Sequence, residues 1–385
     1  MSSKLVQLSE VCEIIMGQAP AGSSYNEHGE GIALIAGAGD FGKLTPEPKK
    51  HTTEPSKFSH VGDLILCIRA TIGELNLSDK KYCLGRGVAG LRPNENVLHC
   101  AYLWHFIKSS KQQLAAKGTG STFKQVSRSH IAEWEIPLPP LPEQKRIAAI
   151  LDKADAIRRK RQQAIQLADD FLRAVFLDMF GDPVTNPKGW DVKPLKEIAR
   201  IQIGPFGTQL HKEEYITGGI PLVNPTHLVQ GKIVPNHELT VSKTKHAELS
   251  EYHLDEGDIV MGRRGEMGRC AVVGKKESGW LCGTGSLFLR PKQAGVFSGY
   301  LGRLLSSEPI KRHLESESLG ATMPNLNKSI VGNIMIPIPS DSALKQFAEV
   351  ERKTKSFKAK YSKLDEEIFF ESLSNKAFSG HHITS

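Results

Sequence analysis

The segment from Ile136 to Phe180 reads IPLPPLPEQKRIAAILDKADAIRRKRQQAIQLADDFLRAVFLDMF, a proline-rich stretch that runs directly into a long helical pattern. Proline has no backbone N–H and biases the residue before it toward extended geometry, so the prolines keep the first residues out of a helix. Pro142 suits a first helical turn, and Glu143 places negative charge at its positive end. We therefore predict a long central helix over residues 142–181.

Apolar or small residues recur along this helix at steps of three and four, with Arg161 as the one exception. The predicted seam comprises Ile147, Ile150, Ala154, Ile157, Ala164, Ala168, Phe171 and Val175, widened by Leu151, Ile165 and Leu172. The proline motif returns as Ile336–Pro339, two hundred positions after Ile136, and a similar seam follows it. Two helices that are each too apolar on one face to stand alone are expected to pack on each other as a coiled coil.

The rest of the chain also repeats. Three corresponding pairs are Leu8–Val11 with Leu195–Ile198, Val61–Ile65 plus Arg69 with Glu256–Val260 plus Arg264, and Leu91–Pro93 with Leu289–Pro291. Each half is then one mixed domain followed by one long helix. The predicted boundaries are 1–141 for the first domain, 142–181 for the central helix, 182–340 for the second domain and 341–380 for the distal helix.

The domain interiors favour strands, because short apolar runs are bounded by glycine. Predicted strands cover 63–68, 88–92, 258–261 and 286–289, and predicted helices cover 101–116 and 297–314. Residues 22–42 and 204–231 are rich in glycine and are expected to be loops, where recognition usually lies.

At 385 residues the chain is long enough for two or more domains. The charge of +8 permits nucleic-acid binding without establishing it. The start has no signal-peptide core and no run approaches a membrane span, so we expect a cytoplasmic protein without a membrane partner. The six cysteines have no metal-ligand spacing and are expected to be reduced, buried thiols rather than a zinc site.

Two near-motifs fail on their context. Gly37–Lys43 has the glycine and lysine spacing of a phosphate-binding loop, but Leu44 stands where Ser or Thr should hold the metal. Asn224-Pro225-Thr226-His227 departs at its last two positions from the tetrapeptide of amino-methyltransferases, and no glycine-rich cofactor loop accompanies it. We therefore expect a non-catalytic chain.

Together, Pro139–Ile147, its weaker copy Pro337–Pro339, the paired Gly-Asp strands and Gly204–Leu210 resemble the DNA specificity subunit of type I restriction-modification systems. The resemblance covers essentially the whole chain. It departs from the family pattern at Ser340–Ser342, which replaces the expected Leu-Pro-Glu-Gln, so the distal helix is expected to start differently.

The resemblance implies an α+β fold with two pseudo-symmetric α/β target-recognition domains separated by two long antiparallel coiled-coil helices. Each domain would read one half of a bipartite, asymmetric site in double-stranded DNA. Two methyltransferase subunits would carry S-adenosylmethionine and the adenine chemistry, and endonuclease/translocase subunits would join optionally. Ile147 to Val175 spans about 42 Å of helix, or roughly 12 base pairs of B-DNA, so the helices could set the unread spacer.

Side chains that read bases in the major groove are typically Arg, Lys, Asn, Gln or hydroxyl residues. The candidates in the first domain are Ser23, Ser24, Arg69, Arg86 and Lys124. In the second domain they are Thr208, Gln209, Lys212, Arg263, Arg264 and Lys328. An alternative is that Arg69 and Arg264 only anchor the turns that follow buried strands.

We expect the proline segments and the outward flanks of the helices to bind the methyltransferase partners. The candidate residues include Pro140, Leu141, Gln144 and Arg146. The alternative is that the prolines only stiffen the joint between domain and helix. Two rival functions stay open: a stand-alone DNA adenine methyltransferase with fused recognition domains, and a coiled-coil scaffold that does not bind DNA.

Overall fold

The computed structural model describes residues 4–120, 124–265, 267–293, 295–317, 326–362, 373 and 376–378. The chain divides into two compact units, residues 1–164 with 361–385 and residues 165–360. Each unit holds one copy of the sequence repeat together with part of each long helix.

In the first unit, the repeated segment with Gly62 and Asp63 leads into the central part of a four-stranded antiparallel sheet. The strands, in spatial order, are Cys12–Met16, Val88–Pro93, Leu64–Cys67 and Leu75–Leu77. Leu64–Cys67 is buried throughout because neighbours pair with it on both sides. The helix Cys100–Ala116 contributes Leu103 and Phe106 to the same core.

A second four-stranded sheet takes two of its strands, Tyr25–Asn26 and Ile32–Ile35, from the region 22–42 that we expected to be loop. Its strands, in spatial order, are Tyr25–Asn26, Lys50–Thr52, Ile32–Ile35 and Cys83–Leu84, and the last two are parallel. The loop prediction for residues 22–42 was thus wrong in part. Short 3-10 helices, Gly22–Ser24 and Ala38–Asp40, flank the buried run Ile32–Ile35, whose four apolar residues were the overlooked signal.

The second unit repeats this plan. Its antiparallel sheet is Ala199–Ile203, Ser286–Pro291, Ile259–Gly262 and Cys270–Val272, and its other sheet is Tyr215–Ile216, Thr240–Val241, Ile220–Val223 and Leu281–Cys282. A hairpin of Leu228–Val229 and Lys232–Ile233 is additional. The predicted helix over 297–314 is two helices, Val296–Leu305 and Glu308–Glu317. Pro309 explains the break, because it cannot donate a helical hydrogen bond.

Two short helices correspond between the units. Leu8–Val11 and Arg128–Ala132 in the first unit match Leu195–Ile198 and Lys328–Gly332 in the second, and the helix Lys243–Glu248 is additional.

Each proline segment is an extended strand in a two-stranded sheet. Glu135–Leu138 pairs with Lys4–Gln7, and Met335–Ile338 pairs with Asp191–Pro194. Proline is tolerated there because a two-stranded sheet leaves one side of each strand without a ladder. A buried tyrosine in each unit donates to the proline carbonyl, Tyr102 Oη to Pro137 at 2.7 Å and Tyr300 Oη to Pro337 at 2.9 Å.

The central helix covers Leu141–Phe180 and the distal helix is described over Asp341–Ser362. Most of the predicted extension of the distal helix to residue 380 lies outside the described residues. Within the second unit, the ring of Phe180 lies 5.4 Å from that of Phe347, and Lys358 pairs with Asp169. A later residue of the central helix thus contacts an earlier residue of the distal helix, so the two helices are antiparallel in this part of the chain.

The predicted seam is wrong at two positions. Ile157 is 43% exposed and Phe171 is 56% exposed, whereas Leu172 and Phe176 are buried against the second core. A helix has 3.6 residues per turn, so the contact line drifts off a strict heptad over this length.

Candidate nucleic-acid interface

Three loops of the first unit meet around a cleft of about 510 Å3. They follow the strands Ile32–Ile35, Leu64–Cys67 and Cys83–Leu84. The cleft is lined by Ala36, Gly37, Ala38, Gly39, Arg69, Ala70, Thr71, Arg86 and Gly87. Two of the predicted DNA-binding residues, Arg69 and Arg86, are thus brought together from separate loops.

Arg69 is held in place by a side chain that the sequence did not single out. Its Nε donates to Gln125 Oε1 at 2.7 Å, and both residues are half-buried. The backbone of Gln125 is itself paired with Thr119 in both directions, at 2.8 and 3.0 Å. The guanidinium is therefore fixed through Nε, and within the described part of the chain its two terminal amino groups make no side-chain hydrogen bond.

Arg86 is carried by a turn that only glycine permits. A Cβ on Gly87 would lie 2.1 Å from the carbonyl oxygen of Ala36, and one on Gly85 would lie 3.0 Å from that of Ile35. The two glycines let the turn pass directly against the neighbouring loop. Arg86 is exposed at its tip and makes no side-chain hydrogen bond within the described part of the chain.

The corresponding place in the second unit has different chemistry. Arg264 is equivalent to Arg69 in the repeat and is exposed. The residue equivalent to Arg86 is Thr284, and the residue equivalent to Gly37 is Pro225. Pro225 atoms lie 3.0 to 3.2 Å from where a Cβ on Gly285 would be, so the proline ring packs on the turn that carries Thr284.

Two predicted DNA-binding residues are instead buried, and those predictions are corrected. Ser24 is 7% exposed, and its hydroxyl contacts Ala21 O and Thr52 Oγ1, both at 2.7 Å. Arg263 is also 7% exposed, and its Nε donates to Leu326 O at 2.8 Å. Arg263 occupies the position of the buried Ile68 in the first unit, so it holds the chain together rather than facing a ligand.

The remaining predicted base-reading residues lie at the surface, and their contact with DNA stays a prediction. Exposed residues of this group are Ser23, Lys124, Thr208, Gln209, Lys212 and Lys328. Gln209 is already engaged, because its Oε1 accepts from Phe206 N at 3.0 Å and Tyr252 Oη at 2.9 Å.

The predicted partner-binding residues divide in the same way. Pro140 and Arg146 are exposed, Leu141 is half-buried, and Arg146 is paired with Glu143. Gln144 is completely buried, so its assignment to a partner surface was wrong. It accepts from His99 N and donates to Val97 O and Pro139 O, all at 2.8 Å.

The distal helix starts on apolar contacts instead. Leu344 stands at the position of Gln144 and is 5% exposed in the second core. Ser340 accepts from the backbone N–H of Ala343 through Oγ at 3.3 Å and from that of Leu344 through its carbonyl at 3.0 Å.

Within the described residues, no group of His, Cys, Asp or Glu could hold a metal ion. Burial raises the pKa of Cys12 to about 12 and those of Cys100 and Cys270 to about 11, so these thiols stay protonated. No helix among the described residues has the length and apolar character needed to cross a membrane.

The fold therefore defines a two-domain α+β protein in which each domain is followed by a long helix. The model of the type I restriction modification DNA specificity domain matches this chain twice, over residues 2–167 and 187–366. The chain belongs to that family of specificity subunits. Such subunits are non-catalytic components of their systems, which confirms the prediction that the chain is not itself an enzyme.

Individual relatives agree with this assignment. The chain is 36% identical over 159 residues to the putative type I restriction enzyme MjaX specificity subunit of Methanocaldococcus jannaschii, covering 40% of this chain and 37% of that protein. It is 26% identical to the MjaVIII specificity subunit of the same organism, covering 74% and 70%. The crystal structure of the S subunit from M. genitalium superposes with a TM-score of 0.58 at 17% identity, covering 97% and 96%, and confirms the predicted fold.

Proposed function

We propose that each unit of this subunit reads one half of a bipartite, asymmetric DNA target. The observation that carries the proposal is the duplication itself, because both units present an arginine, Arg69 or Arg264, directly after the same central strand. A protein with two related readers matches a target with two half-sites. The sequences differ at the loops around each arginine, so the two half-sites should differ as well.

The two long helices are proposed to set the number of unread base pairs between the half-sites. The central helix is continuous over 40 residues, about 60 Å at 1.5 Å per residue. A continuous helix is stiff, so its length can fix the distance between the two half-sites. B-DNA rises about 3.4 Å per base pair, and this distance then corresponds to a set number of base pairs.

Two methyltransferase subunits are the proposed partners, and they would bring S-adenosylmethionine and transfer the methyl group to adenine. An apolar helix face supports a protein partner, since Leu167 is 60% exposed and Phe171 is 56% exposed one turn apart. Pro140, Leu141 and Arg146 lie at the accessible joint between the first domain and the helix. Endonuclease/translocase subunits are optional additions to this assembly.

The direct test is methyl transfer by the purified chain, by a methyltransferase subunit of the same system and by the two together. We expect sequence-specific adenine methylation only from the mixture, at a site with two defined halves. Methylation by the chain alone would instead favour a fused methyltransferase. Methylation by the mixture without sequence preference would favour a scaffold that does not read DNA.

A further inference from the structure

We infer that the cleft between Arg69 and Arg86 holds one phosphodiester group of the DNA backbone and thereby fixes the register of the first unit. This inference rests on the proposed function and assigns one part of the interface to phosphate rather than to a base.

The first argument is charge. The cleft has two arginines and no carboxylate among its lining residues. Asp40 is the acidic residue that follows the glycine wall in the sequence. Its carboxylate binds the backbone of its own loop, because Oδ2 accepts from Ala36 N at 2.7 Å and from Gly37 N at 3.3 Å. A concave site lined by two guanidinium groups and by no described carboxylate favours an anion.

The second argument is shape. Base edges lie at the floor of the DNA grooves and are reached by protruding side chains, whereas phosphates project outward and can enter a concave surface. The Arg69 guanidinium, tied to Gln125 through Nε, presents its two terminal amino groups, the geometry that binds phosphate oxygens in pairs. Gly37 and Gly39 line the same cleft as the arginines, and a Cβ on either glycine would meet nothing within 4 Å, so this wall is not crowded.

The third argument is the contrast between the units. Thr284 stands in place of Arg86, and Pro225 fills the position of Gly37. Among the described residues, this place in the second unit therefore has one arginine where the first unit has two, so we assign the phosphate site to the first unit. The first part of the glycine stretch, Gly37–Gly39, thus serves as a wall of the phosphate site, although the stretch Gly37–Lys43 fails as a nucleotide-binding loop.

The test uses the complex of the full chain with its methyltransferase partner. Arg86→Thr installs the residue of the second unit, and Lys57→Thr removes an equal charge from an exposed residue that does not line the cleft. We expect Arg86→Thr to weaken binding to target and non-target duplexes by the same factor, about ten-fold at low salt. The slope of log affinity against log salt should fall by about 0.9, the value for one phosphate contact. The methylated sequence and the melting temperature should not change.

Three results would overturn the inference while leaving the proposed function intact. If Arg86→Thr relaxes one position of the methylated sequence with an unchanged salt slope, Arg86 reads a base. If Lys57→Thr has the same effect as Arg86→Thr, only net charge matters. If inorganic phosphate at constant ionic strength raises the melting temperature of the wild-type chain but not of Arg86→Thr, while DNA affinity is equal in both, the cleft binds a free anion. Failure of the proposed function would differ, because the wild-type complex would then show no sequence preference.

Discussion

Arg92 donates two hydrogen bonds to the carboxylate of Asp63, from Nε at 2.9 Å and from a terminal amino group at 2.8 Å. Arg290 and Asp258 make the same paired contact in the second unit, at 2.9 and 2.7 Å. Each aspartate side chain is 2% exposed. In the first unit, this contact ties the turn before the central strand Leu64–Cys67 to the neighbouring strand Val88–Pro93. Because the central strand is held in this way, the loop with Arg69 at its other end is held as well.

Removing Arg92 should loosen the first unit and leave the second unchanged. Arg92→Leu leaves a buried carboxylate without its partner, at a cost of about 3 kcal/mol in the free energy of unfolding. Hydrogen exchange should then speed up for the amides of Leu64–Cys67 but not for those of Ile259–Gly262. Arg290→Leu is the matched control and should give the reverse pattern. Equal protection in wild type and variant would show that the ion pair does not hold the strand.

Gln144 should be essential to the joint between the first domain and the central helix. Gln144→Leu, which installs the residue found at Leu344, leaves His99 N, Val97 O and Pro139 O without their partner. Pro139 O is buried and the other two groups are partly buried, so losing their partner costs about 3 kcal/mol in total. A drop in melting temperature is expected, whereas Lys145→Leu at the exposed neighbouring position should have little effect. Equal melting temperatures for the two variants would contradict the role of Gln144.

His105 should make the first unit less stable in mild acid. Burial lowers the pKa of His105, although the hydrogen bond with Asp152 at 2.8 Å opposes that shift. The unfolded chain, with a histidine pKa of about 6.5, therefore binds the proton more readily than the folded chain. The free energy of unfolding should fall as pH drops from about 6.5 toward the folded pKa, by at most about 1.4 kcal/mol per pH unit.

Urea unfolding at several pH values between 5 and 7 checks this prediction. His105→Gln should remove the additional pH dependence and keep the dependence that comes from other groups. If the free energy of unfolding depends on pH in the same way in wild type and variant, His105 is equally protonated in the folded and unfolded states, which would contradict the prediction.

Phe171 and Leu172 should separate partner binding from stability. Phe171→Ser changes an exposed ring and should leave the melting temperature unchanged while weakening assembly with the methyltransferase subunit. Leu172→Ala removes a buried side chain and should cost about 3 kcal/mol of stability. Size-exclusion chromatography of the mixed subunits measures assembly. Normal assembly of the Phe171→Ser variant would exclude this face from the partner interface.

Much of the fold follows from local chemistry. The buried runs after Asp63 and Asp258, the proline segments and the helix that starts beside Pro142 all have short-range causes, and the sequence predicts them. The cleft does not follow in the same way, because Arg69, Arg86 and Gly37 lie on three loops that only the tertiary fold brings together. Gln125 carries no signal of its own for holding Arg69.

Other errors arose where identical patterns have different surroundings. Arg263 and Arg264 are adjacent basic residues, yet one is buried in the place of Ile68 and the other is exposed. Phe171 and Leu172 are both apolar, and only packing against Phe176 and its neighbours decides which of them is buried. Residue type alone could not distinguish these cases.

The most direct test of two readers held apart by helices is to lengthen both helices by one heptad, after Gln163 in the central helix and after Lys360 in the distal helix. The insertion adds about 10.5 Å, or roughly three base pairs of B-DNA, and nearly preserves the helical phase. Mapping of methylated adenines should show unchanged half-sites with a spacer longer by about three base pairs. Altered half-sites, or an unchanged spacer, would contradict the account.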